Sequence, residues 1–103
     1  MFRFIQTGPE RGDCTAPYKV EMDCEYTVRS FVEEAITRND GKDWGYIGVY
    51  KYRVPHGEPC IEYRWGKSVG EMPEKILDLK VLSATADGGW SRMDYIMVVE
   101  GIS

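Results

Sequence analysis

Histidine occurs once in this chain of 103 residues, as His56, and cysteine three times, as Cys14, Cys24 and Cys60. These four side chains include no C-x2-C pair, the close ligand spacing on which structural zinc sites are built. No metal site is therefore expected. An odd, unevenly spaced set of cysteines is not a disulfide framework, and free thiols point to a reducing, cytoplasmic setting. Basic charge is also short. Lys and Arg number 13 against 17 Asp and Glu, a net charge of −4. That balance disfavours nucleic-acid backbones, which need clustered cations, and it disfavours anionic membrane surfaces. No apolar run approaches the 18 or so residues of a membrane span. The opening MFRFIQTGPE has no apolar core of a secretory signal. Both features add to the cytoplasmic expectation. No glycine-rich loop joins a strand to a helix, so neither phosphate-binding fingerprint is present and no cofactor is expected.

Aromatics, by contrast, are plentiful at 13%, with seven Tyr, three Trp and three Phe. That content opposes disorder, and the length suits one domain over residues 1–103. FRFIQ at the start and YKVEMDCEY at 18–26 alternate apolar and polar residues, the period of a half-buried strand. TGPERGDCTAP between them is loop chemistry. The clearest helix runs from Thr27 to about Arg38. Val28, Phe31, Val32, Ala35 and Ile36 share its apolar face, and Glu33 and Glu34 take the solvent side. Thr27 suits the N-cap, and Ser30 with Glu33 offers an alternative capping box. Further strands are predicted at 44–53, 60–66, 79–86 and 93–100, with a short helical turn opened by Pro73. One helix cannot cover both faces of such a sheet. The expected class is α+β, an antiparallel or mixed sheet of five to six strands with one main helix on one face.

The first 36 residues, and YTVRSFVEEAI above all, resemble the start of a ubiquitin-like β-grasp domain, where two strands lead into a helix opened by a Thr-Val pair. The resemblance implies a β-grasp-like fold. The final hairpin departs from the pattern, and without a terminal di-glycine the resemblance implies no conjugation. The whole chain is also similar to small bacterial or phage-type proteins, a likeness that implies no activity.

Alternation in WGYIGVYKYR sends Ile47 and Val49 one way and Trp44, Tyr46, Tyr50 and Tyr52 the other, while Ile61, Tyr63 and Trp65 share a face of the next strand. If Ile47 and Val49 meet the helix, aromatics cover the far side of the sheet. Such rings either fill a second core or form an interface. The candidate binding residues are Trp44, Tyr46, Tyr63, Trp65 and Trp90. The partner would be another protein or a second copy of the chain, joined at an edge strand or at the aromatic face. An aromatic sheet face also stacks single-stranded bases, but the weak basic character of residues 42–67 disfavours that reading.

Two stretches invite a catalytic reading. His56 lies four residues before Cys60, which would suit a thiolate–imidazole pair if the two met in space. ADGGWSRMDY at 86–95 approaches a nucleophile elbow around Ser91, but Met93 stands where that motif needs glycine. Asp87-Gly88 followed by Gly89 reads instead as a hairpin turn with left-handed positions, and Arg92 is placed to pair with a nearby carboxylate. No residue is assigned a catalytic role. A small Cys/His-dependent enzyme is the alternative to a binding module.

Overall fold

A computed structural model describes residues 1–12, 14–38, 42, 44–50, 61–66, 72–89 and 91–100, with backbone alone at 61–65. In chain order the elements are β1 (Arg3–Gln6), β2 (Ala16–Glu21), α1 (Val28–Arg38), β3 (Gly45–Tyr50), β4 (Ile61–Trp65), α2 (Glu74–Leu77), β5 (Val81–Gly88) and β6 (Met93–Val99). The six strands form one sheet in the order β1-β2-β5-β6-β3-β4. All neighbours are antiparallel except β3 and β6, which run parallel. The sheet is mixed and the class is α+β. A strand hairpin leading into a helix is present at the start of the chain, an arrangement that does not by itself establish a β-grasp family.

Local chemistry explains where α1 begins. Thr27 Oγ1 accepts the Ser30 N–H at 3.2 Å, and Ser30 Oγ accepts the Thr27 N–H at 3.0 Å. The capping box is therefore Thr27 with Ser30 rather than Ser30 with Glu33, because the Ser30 hydroxyl reaches back to the residue three before it. Pro73 precedes the first residue of α2 as its N-cap and not within its first turn. β2 starts two residues earlier and ends sooner than the alternation predicts, since its pairing with β5 begins at Ala16.

The lateral row Phe4–Val20–Ala84–Met97–Val49 and the next row, Tyr18–Ala86–Tyr95–Ile47, lie on the helix side. There Val28, Phe31, Val32 and Ala35 of α1 and Ile76 and Leu77 of α2 join Ile47, Val49, Tyr95, Met97 and Val99 in one buried cluster. Phe2 stacks on Phe31 at 4.6 Å, and Tyr95 meets Phe31 edge-on at 5.4 Å. The intervening rows face the other way. Ile5, Lys19, Thr85, Ile96 and Gly48 follow one another across the sheet in one of them, and Pro17, Asp87 and Asp94 in the next. Ile5 is 41% and Ile96 39% exposed. Among the described residues no helix covers this face.

Candidate functional site

Trp44 and Arg92 bridge the start of β3 to the turn before β6. The Trp44 carbonyl accepts the Met93 N–H at 3.0 Å, and the Trp44 N–H donates to the Ser91 carbonyl. Period two then sets Tyr46 beside Trp44 and Asp94 beside Arg92. The two rings meet edge-to-face at 5.7 Å. The Arg92 guanidinium lies 4.8 Å from the Trp44 centroid and 5.2 Å from that of Tyr46, within cation–π range. Asp94 fixes it there. Arg92 Nε donates to both carboxylate oxygens at 2.9–3.0 Å, and Nη2 lies 2.9 Å from Oδ2. The Asp94 Oδ1 also accepts the Tyr46 backbone N–H at 2.9 Å. The hydrogen bond to Asp94 holds Arg92 still further into its charged form than an ordinary guanidinium. Even so, 47% of the Arg92 side chain remains open to solvent.

The neighbouring hairpin corrects the reading of its glycines. Asp87 and Gly88 belong to β5, opposite Asp94 and Met93, and the turn lies beyond them, closed by the Gly89 N–H on the Arg92 carbonyl at 2.8 Å. Neither glycine takes a left-handed φ. What they supply is space. A Cβ at Gly88 would lie 2.9 Å from Met93 Cε and 3.1 Å from the Tyr18 ring, and one at Gly89 would lie 3.3 Å from Thr15 Cγ2.

That last contact brings the loop after β1 against the hairpin. The loop is closed by the Arg11 N–H on the Thr15 carbonyl at 2.7 Å and the Cys14 N–H on the Arg11 carbonyl at 2.9 Å. Cys14 carries φ 65°, which a side chain disfavours. The Arg11 guanidinium pairs with Asp87 at 2.5 Å, and Lys42 Nζ donates to the Gly89 carbonyl. Arg11, Thr15, Asp87, Gly89, Arg92 and Asp94 together line an opening of about 340 Å³. The alternation along β6 offered a signal for Asp94 beside Arg92. Nothing in the sequence linked Arg11 to Asp87, 76 residues away.

Of the five predicted site residues, Trp44 and Tyr46 meet, both half-buried on the open side. Tyr63 and Trp65 are described as backbone only. Their register positions are opposite Ile47 and Gly45, whereas Tyr46 pairs with Arg64, so the ladder sets them at the alternate positions to Trp44 and Tyr46. Trp90, His56 and Cys60 lie outside the described residues. Cys14 and Cys24 are exposed, free thiols, and the described residues hold no cluster of three metal-ligating side chains.

Glu34, predicted to be solvated, is instead a partly buried hub. Its oxygens accept the Phe2 N–H at 2.8 Å and the Tyr26 hydroxyl at 2.7 Å. Arg38 follows one turn later, 3.8 Å from Glu34, and donates to the Phe2 carbonyl. Burial, with the Glu34 hydrogen bond second, pushes the Tyr26 phenol well above its ordinary pKa. Two helix side chains thus occupy the N–H and the C=O of Phe2 just where the edge strand β1 begins. A strand added at that edge would need those groups. No protein-family model, curated protein or solved structure matches the chain.

Proposed function

We propose that the protein is a small cytoplasmic accessory module that binds another protein through the open face of its sheet, centred on Trp44, Tyr46 and Arg92. One observation carries the reading: an arginine half open to solvent is held over two aromatic rings by a carboxylate on the sheet face that no described helix covers. Trp, Tyr and Arg are the residues that dominate interface energetics, because they offer large contact area with few rotatable bonds or with planar donors. Here their geometry is already set, which lowers the ordering cost of association. Exposed Ile5 and Ile96 add apolar area on the same face. The guarded start of β1 argues against self-association by strand addition at that edge. The free thiols of Cys14 and Cys24 support the reducing compartment, and no described helix is long and apolar enough to cross a membrane.

The test is capture from native lysate by the immobilised protein, read by quantitative mass spectrometry against Trp44→Ala and Arg92→Ala, with circular dichroism confirming that both variants fold. A partner retained by the native chain and lost from both variants is the expected result. Identical capture by all three would remove the surface from consideration.

A further inference from the structure

The open face carries an ordered charge pattern, and the pattern selects a partner. Asp87 and Asp94 are direct cross-strand neighbours. Like charges at such positions oppose strand pairing, and each is balanced by its own arginine, Arg11 on one side and Arg92 on the other. Along the line from Arg11 through Asp87 and Asp94 to Arg92 the charges therefore run plus, minus, minus, plus, with Lys19 exposed in the neighbouring row. A second copy turned about a two-fold axis through the middle of that row presents the same order reversed, which is the same order. Like then meets like, so a copy centred on the row does not complement it. Its complement has cations at the centre.

The surroundings of the two aspartates fit such a group. A second opening, of about 230 Å³, adjoins the first and shares Asp87 and Asp94 with it, and Thr7, Pro17, Thr85 and Ile96 line it. The aliphatic stem of a lysine or arginine packs on that kind of surface while its head reaches a carboxylate. Asp87 is suited to receive it. Its Oδ1 takes Arg11, and an ionised carboxylate accepts more hydrogen bonds than that. The net charge of −4 adds long-range attraction for a basic segment.

We infer that the open face docks an extended, basic segment of the partner protein, with a Lys or Arg side chain seated on Asp87 and Asp94 between the flanking Arg11 and Arg92. The inference rests on the binding-module reading above and gives that surface its chemistry. The probes are two labelled synthetic peptides of alternating Thr and Lys or alternating Thr and Glu, titrated with the full chain at low ionic strength. Fluorescence anisotropy measures affinity, and backbone amide shifts locate the contact. The lysine peptide is expected to bind more tightly than the glutamate peptide and to shift the amides of Asp87, Asp94 and Ile96. Asp87→Asn should weaken it roughly fivefold, the effect of one half-exposed charge pair. Glu33→Gln makes the same charge change on an exposed helix position and should leave affinity within about twofold. Equal losses in the two variants would reduce the effect to net charge and overturn the inference. Tighter binding of the glutamate peptide, abolished by Trp44→Ala, would overturn the basic-partner assignment alone and leave the docking surface standing. Lysine-peptide binding that shifts amides elsewhere and ignores Asp87→Asn would overturn the site.

Discussion

Arg38 and Arg92 sit in matching arrangements on opposite sides of the sheet. Arg38 lies over Phe2 at 4.7 Å and Phe4 at 5.1 Å, and Arg92 over Trp44 at 4.8 Å and Tyr46 at 5.2 Å. Each has a carboxylate close by in sequence, Glu34 one helical turn before Arg38 and Asp94 two residues after Arg92. Water separates the two cases. Arg38 and Glu34 are each 19% exposed, and they also bond the Phe2 backbone and the Tyr26 hydroxyl. Arg92 is more than twice as open, and its neighbours leave room beside it. The drier cluster fastens the N-terminal strand to the helix. The wetter one holds a rigid, charged surface ready for contact.

The comparison breaks most visibly at the two carboxylates. Glu34→Ala strands the Phe2 N–H and the Tyr26 hydroxyl and takes the carboxylate from beside a partly buried Arg38, and it should lower stability by about 3 kcal/mol in urea unfolding. Asp94→Ala frees one backbone N–H and an arginine that water already reaches, and about 1 kcal/mol is expected. Equal costs would mean that the two clusters do the same job. The arginines come next. Arg38→Ala also uncovers two aromatic rings and should cost about 2 kcal/mol. Arg92→Ala should cost at most about 1 kcal/mol and yet abolish partner capture.

Tyr26 sharpens the comparison on the dry side alone. Its raised pKa means that the folded state keeps the phenol proton when the unfolded chain loses it near the ordinary value of 10.0. The folded state then binds more protons than the unfolded one, so stability falls as pH rises above about 10. Thermal melts across that range should show the decline, and Tyr26→Phe should flatten it at a neutral-pH cost of about 1 kcal/mol. An unchanged slope in the variant would assign the decline to other groups.

How far the sequence reveals these two regions follows from the range of the interactions. Elements held by local periodicity were legible: α1 from Val28, Phe31, Val32 and Ala35, and the faces of β3 from Ile47 and Val49 against Trp44 and Tyr46. So was the turn character of the segment around Gly89. Properties set by distant partners were not. Glu34 reads as a solvated helix residue until Phe2 and Tyr26, which the N-terminal hairpin carries to it, are in place. The glycines at 88 and 89 read as turn residues, but their spatial reason lies in Tyr18, Met93 and Thr15. Strand order decides the rest, since the parallel pairing of β3 with β6 is what brings Asp94 to Tyr46 and Arg92 to Trp44.

The smallest effect concerns the loop that carries Arg11 to the wet side. Cys14 is the one described residue other than glycine with positive φ, at 65°. A left-handed residue with a Cβ costs about 1 kcal/mol, and glycine relieves it. Glycine also gives the unfolded chain more freedom, which takes back part of the gain. Cys14→Gly should therefore raise stability by about 0.5 kcal/mol, read as a higher urea midpoint at unchanged slope. Binding of the lysine peptide should stay the same, because the backbone bonds between Arg11 and Thr15 that orient Arg11 do not involve the thiol. A gain in stability with a loss of binding would show that the strain in this loop holds Arg11 against Asp87. The wet cluster would then depend on a tension that the dry one does without.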